Sequence, residues 1–187
     1  MIYRPIVLDE EITFSKKKFI VSKTDIKGKI LFINKNFSEI SGYTEAELIG
    51  ANHNALRHPD MPRTIFYLVW NALLAGKEVS GVIKNLAKDG RYYWTIADFS
   101  PKKNSKGEIT SLTSFRRAAP NKVIEEITEL YATMLDIEKK HGMEGALSYL
   151  EAFLEEHQMS YNEFLDELIQ PKGLVATLLA AFKKMFG

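Results

Sequence analysis

Ala51-Asn-His-Asn-Ala-Leu-Arg-His-Pro-Asp-Met-Pro62 is a polar run that brings two histidines, an arginine and an aspartate into a short stretch of chain. It continues without a break into an apolar segment that has Pro62 near its start and Gly76 just past its end, the signals that begin and end a helix. The strand-like run Val79-Ser-Gly-Val-Ile-Lys-Asn85 follows. A polar segment beside an apolar helix is typical of the mouth and wall of a ligand pocket.

The segments on either side of this region predict an α+β fold with a mostly antiparallel five-stranded sheet and short helices on one face. Turn residues at Asp25-Ile-Lys-Gly28 predict a first hairpin, and Asp89-Gly90 predicts a second. Between them, residues 34–50 predict two short helices, the second capped by Thr44. The five strands are predicted at residues 19–24, 30–33, 78–88, 91–100 and 108–117.

After Ala118-Ala-Pro-Asn121 the apolar residues recur at helical spacing, which predicts a C-terminal helical module. Gly142 is expected to end its first helix, and Ser160 with Glu163 forms a capping box for a later one. The last segment, residues 174–187, is apolar on most sides and suits packing, partner docking or contact with a membrane surface. The predicted units are an N-terminal arm (1–17), a sensor domain (18–118) and a helical signalling or partner module (119–187).

Composition excludes several classes of function. The 25 basic and 24 acidic residues nearly cancel, so no overall field attracts nucleic acid. There are no cysteines, which excludes disulfides, thiolate metal sites and the flavin–cysteine adduct of light sensors. No nucleophile motif or phosphate loop is present, so the chain is not expected to be an enzyme. With neither a secretion signal nor a long apolar span, a cytoplasmic location is expected.

The predicted order of strands and helices is that of a PAS domain. Over about residues 19–117 the chain resembles the PAS domain of bacterial aerotaxis receptors, on elements such as Ser41-Gly-Tyr-Thr44, Arg57-His-Pro-Asp-Met-Pro62 and Ser80-Gly81. The element from Arg57 to Pro62 is the specific part. In that family the domain holds FAD non-covalently and reports its redox state to the chemotaxis machinery. The resemblance therefore implies an FAD-binding redox sensor for aerotaxis or energy taxis.

The resemblance also implies a set of cofactor-binding residues. An amide side chain both donates and accepts, as a flavin's pyrimidine edge requires, and an arginine fork binds two phosphate oxygens. Histidines can stack on a ring, and the aspartate is expected to orient a neighbouring arginine or histidine. Trp70 is included as a candidate ring contact, although aromatics at helical spacing usually belong to the core. The candidates are Asn34, His53, Arg57, His58, Asp60, Trp70 and Asn85.

Alternative roles for these residues stay open at this point. Asn34 suits a helix cap, Asn85 an edge-strand position, and Arg57 with Asp60 a surface ion pair. The two histidines with Asp60 are formally enough for a metal site, and either histidine could be the axial ligand of a haem. No metal-binding or catalytic residue is predicted. Two alternatives to an FAD-binding redox sensor therefore remain: a haem-binding gas sensor and a PAS interaction module without a cofactor.

One position departs from the family. Val79 stands where family members carry a tryptophan that lies against the flavin. The sequence also shows neither the membrane span nor the signalling tip of single-chain receptors, which is the layout of stand-alone PAS proteins. The expected partner is therefore a membrane-bound chemoreceptor or another signalling protein, and it would hold the chain at the membrane. A second copy of the chain, forming a homodimer, is the other candidate.

Overall fold

The computed structural model describes residues 4–169, so residues 174–187 lie outside the described part of the chain. Its elements are β1 (Ile20–Thr24), β2 (Ile30–Ile33), α1 (Lys35–Ser41), α2 (Glu45–Leu48), a 3-10 turn (His53–Leu56), α3 (Arg63–Leu74), β3 (Val79–Leu86), β4 (Tyr92–Lys103), β5 (Ile109–Ala118), α4 (Asn121–Glu156) and α5 (Tyr161–Ile169). The predicted elements agree with these bounds to within a few residues.

The strands form one five-stranded antiparallel sheet, as the sequence predicts, and their order in it is β2-β1-β5-β4-β3. Both hairpins form at the predicted turns, and Gly90 has φ +94°, which a glycine adopts without strain. The N-terminal arm lies along this second hairpin. The Leu8 amide donates to the Gly90 carbonyl at 2.8 Å and the Ile12 amide to the Tyr92 carbonyl at 2.7 Å.

Alternate residues of β3 face opposite sides of the sheet. Asn85 points to the inner side, where α1, α2 and α3 pack. The side chain of Val82 points to the outer side, and its backbone carbonyl accepts a hydrogen bond from the hydroxyl of Tyr131 on α4 at 2.8 Å. A single hydrophobic cluster joins this outer face, α4 and α5. Across the rest of the outer face, Phe32 and Phe115 are about half exposed.

The C-terminal helices also contact the start of α3. Pro62 begins α3 without a side-chain cap. Glu138 of α4 takes that place, since its Oε1 accepts from both the backbone amide and the hydroxyl of Thr64 at 2.7 Å. Buried helix ends need such partners for their free N–H groups. A residue 74 positions away along the chain therefore satisfies the first turn of α3.

The predicted helix signals are present. Thr44 and Glu47 form a capping box, as do Ser160 and Glu163. Gly142 interrupts α4 with φ 72° and ψ −175°, a conformation open essentially to glycine alone. Between residues 4 and 169, no helix is long and apolar enough to cross a membrane.

Candidate functional site

A cavity of about 380 Å³ lies between α3 and the inner face of the sheet. That volume falls within the ~300–1,000 Å³ typical of sites that bury a small organic ligand. The polar segment 52–57 closes one side, and the turn between β1 and β2 contributes Lys27 and Gly28. The cavity thus lies beside the polar stretch from which the sequence predicts a pocket.

The walls of the cavity are mainly apolar. Helix α3 contributes one side and strands β3, β4 and β5 the other, so a flat ligand could contact side chains on both faces. Aromatic rings supply much of this surface, which suits stacking on a planar ring system. The apolar and aromatic lining residues are Phe66, Tyr67, Val69, Trp70, Leu73, Ile83, Phe99 and Leu112.

Asn85 is the amide that lies within this apolar wall. It is 3% exposed, and its Nδ2 donates to the Ile83 carbonyl and to Thr95 Oγ1, both at 3.2 Å. These bonds fix the orientation of the amide, and no donor among residues 4–169 reaches its Oδ1. A side chain held in this way can accept a hydrogen bond from a ligand through Oδ1.

Arg57 lines the cavity at the end of the 3-10 turn. Its backbone pairs with Asn85 as an isolated antiparallel bridge, and its carbonyl accepts from the Arg4 guanidinium at 2.7 Å. Its Nε is buried and has no hydrogen-bond partner among residues 4–169. Burial, and after it the nearby charges of Arg4 and Arg63, lower the pKa of Arg57. A guanidinium among other cations is suited to binding an anionic group.

His53 and Arg116 form a second polar group in the cavity lining. Arg116 is 3% exposed, and its Nη2 lies 2.9 Å from His53 Nε2 while its Nη1 donates to Ser22 Oγ at 2.9 Å. Burial and the Arg116 charge lower the pKa of His53 to about 3, so the imidazole is neutral near pH 7. Its Nε2 then accepts from the guanidinium, which leaves that nitrogen engaged and poorly suited to ligate a haem.

The two tryptophans lie on opposite sides of the sheet. Trp70 lines the cavity, whereas Trp94 stacks on Tyr131 of α4, with ring centroids 6.5 Å apart. Val79 is buried and pairs across the sheet with Phe99, which does line the cavity. Phe99 and Trp70 therefore provide aromatic surface next to Val79, the position at which the resemblance to aerotaxis receptors leads one to expect a tryptophan.

Three of the predicted site residues lie away from the cavity lining. Asn34 caps α1 by accepting from the Phe37 amide at 3.1 Å, accepts from the Val21 amide at 3.0 Å and donates to the Phe19 carbonyl at 2.8 Å. The side-chain amide of Asn34 therefore forms hydrogen bonds within the fold and caps α1, which is the alternative role that the sequence left open for it. The other two, His58 and Asp60, lie near the outer side of β3.

The Asp60 carboxylate pairs with Lys84 at 2.7 Å, and its Oδ2 lies 3.3 Å from His58 Nδ1. Of the two residues that it was expected to orient, it therefore contacts His58. The Asp60 amide donates to His58 Nδ1 at 3.1 Å, so the ring proton is on Nε2, which is buried and has no partner in the described part of the chain. Burial, and then the Lys84 charge, lower the pKa of His58 to about 4. Within residues 4–169 there is no group of three or more side chains that could hold a metal ion.

Arg116 and Ser22 are two of the polar lining residues that the sequence did not predict. Ser22, Ser114 and Arg116 all face inward from paired strands, because Ser22 pairs with Ser114 and residues two apart share a face. Leu112, Ser114 and Arg116 alternate with residues of the outer face. That alternation is the signal from which an inward-facing Arg116 could have been predicted.

Residues 30–116 match the family model described as the PAS fold. The PAS domain of a protein from Colwellia psychrerythraea has the same fold, with a TM-score of 0.51 and 24% identity over 55% of this chain and 87% of that chain. With the observed five-stranded sheet and inserted helices, this region of the chain has the PAS fold.

Two known regulatory proteins are similar to this chain in sequence. The aerotaxis receptor of Escherichia coli is 35% identical over 130 residues, which is 70% of this chain and 26% of the receptor. The nitrogen fixation regulatory protein of Klebsiella pneumoniae is 31% identical over 97 residues, which is 52% of this chain and 20% of that protein. The chain thus spans about a quarter or less of the length of these two relatives.

Proposed function

We propose that the chain is a signal-transduction protein that binds FAD non-covalently in the cavity and senses the redox or energy state of the cell. The observation that carries the proposal is an apolar, aromatic cavity with one buried amide, Asn85, and two guanidinium groups, Arg57 and Arg116, at its sides. The similarity to an aerotaxis receptor supports this assignment.

These residues suit the parts of a flavin dinucleotide. Trp70 and Phe99 offer aromatic surface for the ring, Asn85 offers an amide for its polar edge, and Arg57 offers a cation for the pyrophosphate. The cofactor supplies reversible electron uptake, which no amino-acid side chain here provides. The protein supplies binding, orientation and the response.

The proposed response runs through β3. Asn85 faces the cavity. Three residues earlier, the side chain of Val82 faces outward, and the Val82 carbonyl accepts a hydrogen bond from the hydroxyl of Tyr131 on α4. The hydrogen bonds that Asn85 prefers depend on the protonation and charge of the ring edge, so reduction shifts the population of β3 conformers. Helix α4 receives that shift through Tyr131 and, by way of α3, through Glu138.

The proposed output is a change in a protein contact rather than catalysis. A membrane-bound chemoreceptor or another signalling protein is the partner we propose, with the chain in the cytoplasm and held near the membrane by that partner. Helices α4 and α5 are the elements that would carry the contact, since they pack directly on the sheet.

The test is the absorption spectrum of the purified chain, followed by release and chromatography of any pigment. We expect oxidised-flavin bands and a released compound that runs as FAD. Asn85→Asp should weaken FAD binding by about tenfold or more, because an unmatched buried polar group costs about 1–3 kcal/mol. Asn71→Asp, on the exposed side of α3, is the matched control.

Two results would contradict the proposal. A colourless protein that does not bind added FAD would indicate a PAS interaction module. A Soret band in place of flavin absorption would indicate a haem sensor, and His53→Ala or His58→Ala would then remove the pigment.

A further inference from the structure

Arg116 is a buried cation in neutral surroundings. Its guanidinium is bonded to the hydroxyl of Ser22 and the neutral ring of His53, and its centre lies 5.7 Å from the Phe37 ring centroid and 5.8 Å from that of Phe99. No acidic side chain within residues 4–169 forms an ion pair with it. Burial is the main cause that lowers the pKa of Arg116, to about 10.

Such an arrangement is costly for the fold alone. Moving a cation out of water is unfavourable unless an opposite charge compensates it, and the two aromatic rings recover only part of the loss. Even a buried ion pair can often be replaced by well-packed apolar side chains of similar volume without loss of stability. Stability therefore does not explain why a guanidinium is buried at this position. Ligand binding does explain it, because Arg116 lines the cavity.

The neighbours of Arg116 also fix its direction. Ser22 occupies Nη1 and His53 occupies Nη2, while the Phe37 and Phe99 rings restrict the plane of the guanidinium. An arginine has five N–H donors, so others stay available to a ligand that accepts hydrogen bonds. A guanidinium held in this way loses little conformational freedom when it binds.

We propose that Arg116, positioned by Ser22 and His53, is the specificity-determining residue of the cavity and selects planar ligands whose buried edge carries negative charge or adjacent carbonyl oxygens. In naming a flavin as that ligand the inference rests on the proposed function. Because a fixed positive charge stabilises the form that has gained electrons, Arg116 also raises the reduction potential of a bound flavin.

The test compares Arg116→Gln and Arg116→Lys with a control, Arg117→Gln. Arg117 is the next residue on β5, faces the outer side and pairs with Asp98 at 2.7 Å. Each full-length variant is stripped of pigment, and three quantities are measured: the urea midpoint of the cofactor-free protein, its affinity for FAD, and the midpoint potential of bound FAD during reductive titration with dithionite.

We expect Arg116→Gln to leave the urea midpoint of the cofactor-free protein unchanged or higher, and to weaken FAD binding at least tenfold. Each tenfold loss of preference for the reduced form lowers the potential by about 30 mV for a two-electron couple. Arg116→Lys keeps the positive charge, so the midpoint potential of bound FAD should stay close to the wild-type value. The affinity for FAD should fall by less than in Arg116→Gln. Arg117→Gln should change neither the affinity nor the potential.

A lower urea midpoint for Arg116→Gln with unchanged FAD affinity and potential would show that Arg116 only supports the fold, and would overturn the inference. If the wild-type chain binds no FAD, the proposed function fails separately. The cofactor-free midpoint then still decides on Arg116: a loss of stability overturns the inference, and an unchanged or higher midpoint supports a site for another ligand of this chemistry.

Discussion

Glu138→Ala removes the contact by which the C-terminal module caps α3. The Glu138 carboxylate accepts from the amide and the hydroxyl of Thr64, both at 2.7 Å, where Pro62 provides no cap. Loss of a side-chain cap costs about 0.5–2 kcal/mol and loss of a second, partly buried hydrogen bond about 0.5–1.5 kcal/mol. We expect the free energy of unfolding to fall by about 1–3 kcal/mol.

Urea unfolding followed by circular dichroism measures this change, and thermal unfolding gives a second estimate. At about 2–4 °C per kcal/mol for a chain of this size, Tm should fall by about 2–12 °C. Glu138→Gln keeps an acceptor oxygen and loses only the charge at the helix N-terminus, so it should cost about 0.3–1 kcal/mol.

Glu129→Ala is the matched control, since Glu129 is exposed on the same helix. If Glu138→Ala were no more destabilising than Glu129→Ala, the contact would not hold the module against α3. A double-mutant cycle with Thr64→Val isolates the share of the hydroxyl bond. A coupling energy of zero would show that the hydrogen bond from the Thr64 hydroxyl to Glu138 does not stabilise the protein.

Three further outcomes are expected. Tyr131→Phe leaves the Val82 carbonyl without its bond from α4 and should lower the free energy of unfolding by about 1–2 kcal/mol in urea, against Tyr67→Phe as an exposed control. Gly90→Ala and Gly107→Ala both strain a positive φ, but only at Gly90 would the new Cβ meet the Ile6 carbonyl oxygen, so only this variant should expose the arm to limited proteolysis. Burial holds the folded pKa of His53 near 3 and that of His58 near 4, both below the ordinary value of 6.5. Between pH 6.5 and 4 the unfolded chain therefore binds protons that the folded chain does not. As the pH is lowered through this range, the free energy of unfolding should decrease by up to about 1.4 kcal/mol per pH unit for each histidine. A urea midpoint independent of pH in this range would contradict the neutral, buried state of both rings, and His53→Gln or His58→Gln should each reduce the slope.

The sequence predicted those parts of the fold that depend on local chemistry. Asp89-Gly90 specifies a tight hairpin, and the Ser160–Glu163 box specifies a helix start, whatever surrounds them. The cavity depends on partners far apart in the chain. Arg57 reaches it because its backbone pairs with Asn85, a contact across 28 positions that no local pattern records.

The same reasoning explains why three candidate residues lie elsewhere. Asn34 finds its hydrogen-bond partners on the neighbouring strand and helix, so its amide is used before a ligand could bind it. Arg57 and His58 are adjacent in an extended segment and therefore point to opposite sides, toward the cavity and toward Tyr92. Arg116 and Arg117 look alike in sequence, and only the register of β5 separates the cavity cation from the surface one.

The single non-helical residue of α4 determines how far the C-terminal module reaches. A straight helix of 36 residues would be roughly 54 Å long and would extend well beyond a domain of this size. Because Gly142 turns the chain, Ala146 and Leu150 return to the hydrophobic cluster that Tyr131 begins on the sheet. Any side chain at position 142 would favour the continuous rod, which would expose that apolar surface to water and carry α5 away from the sheet.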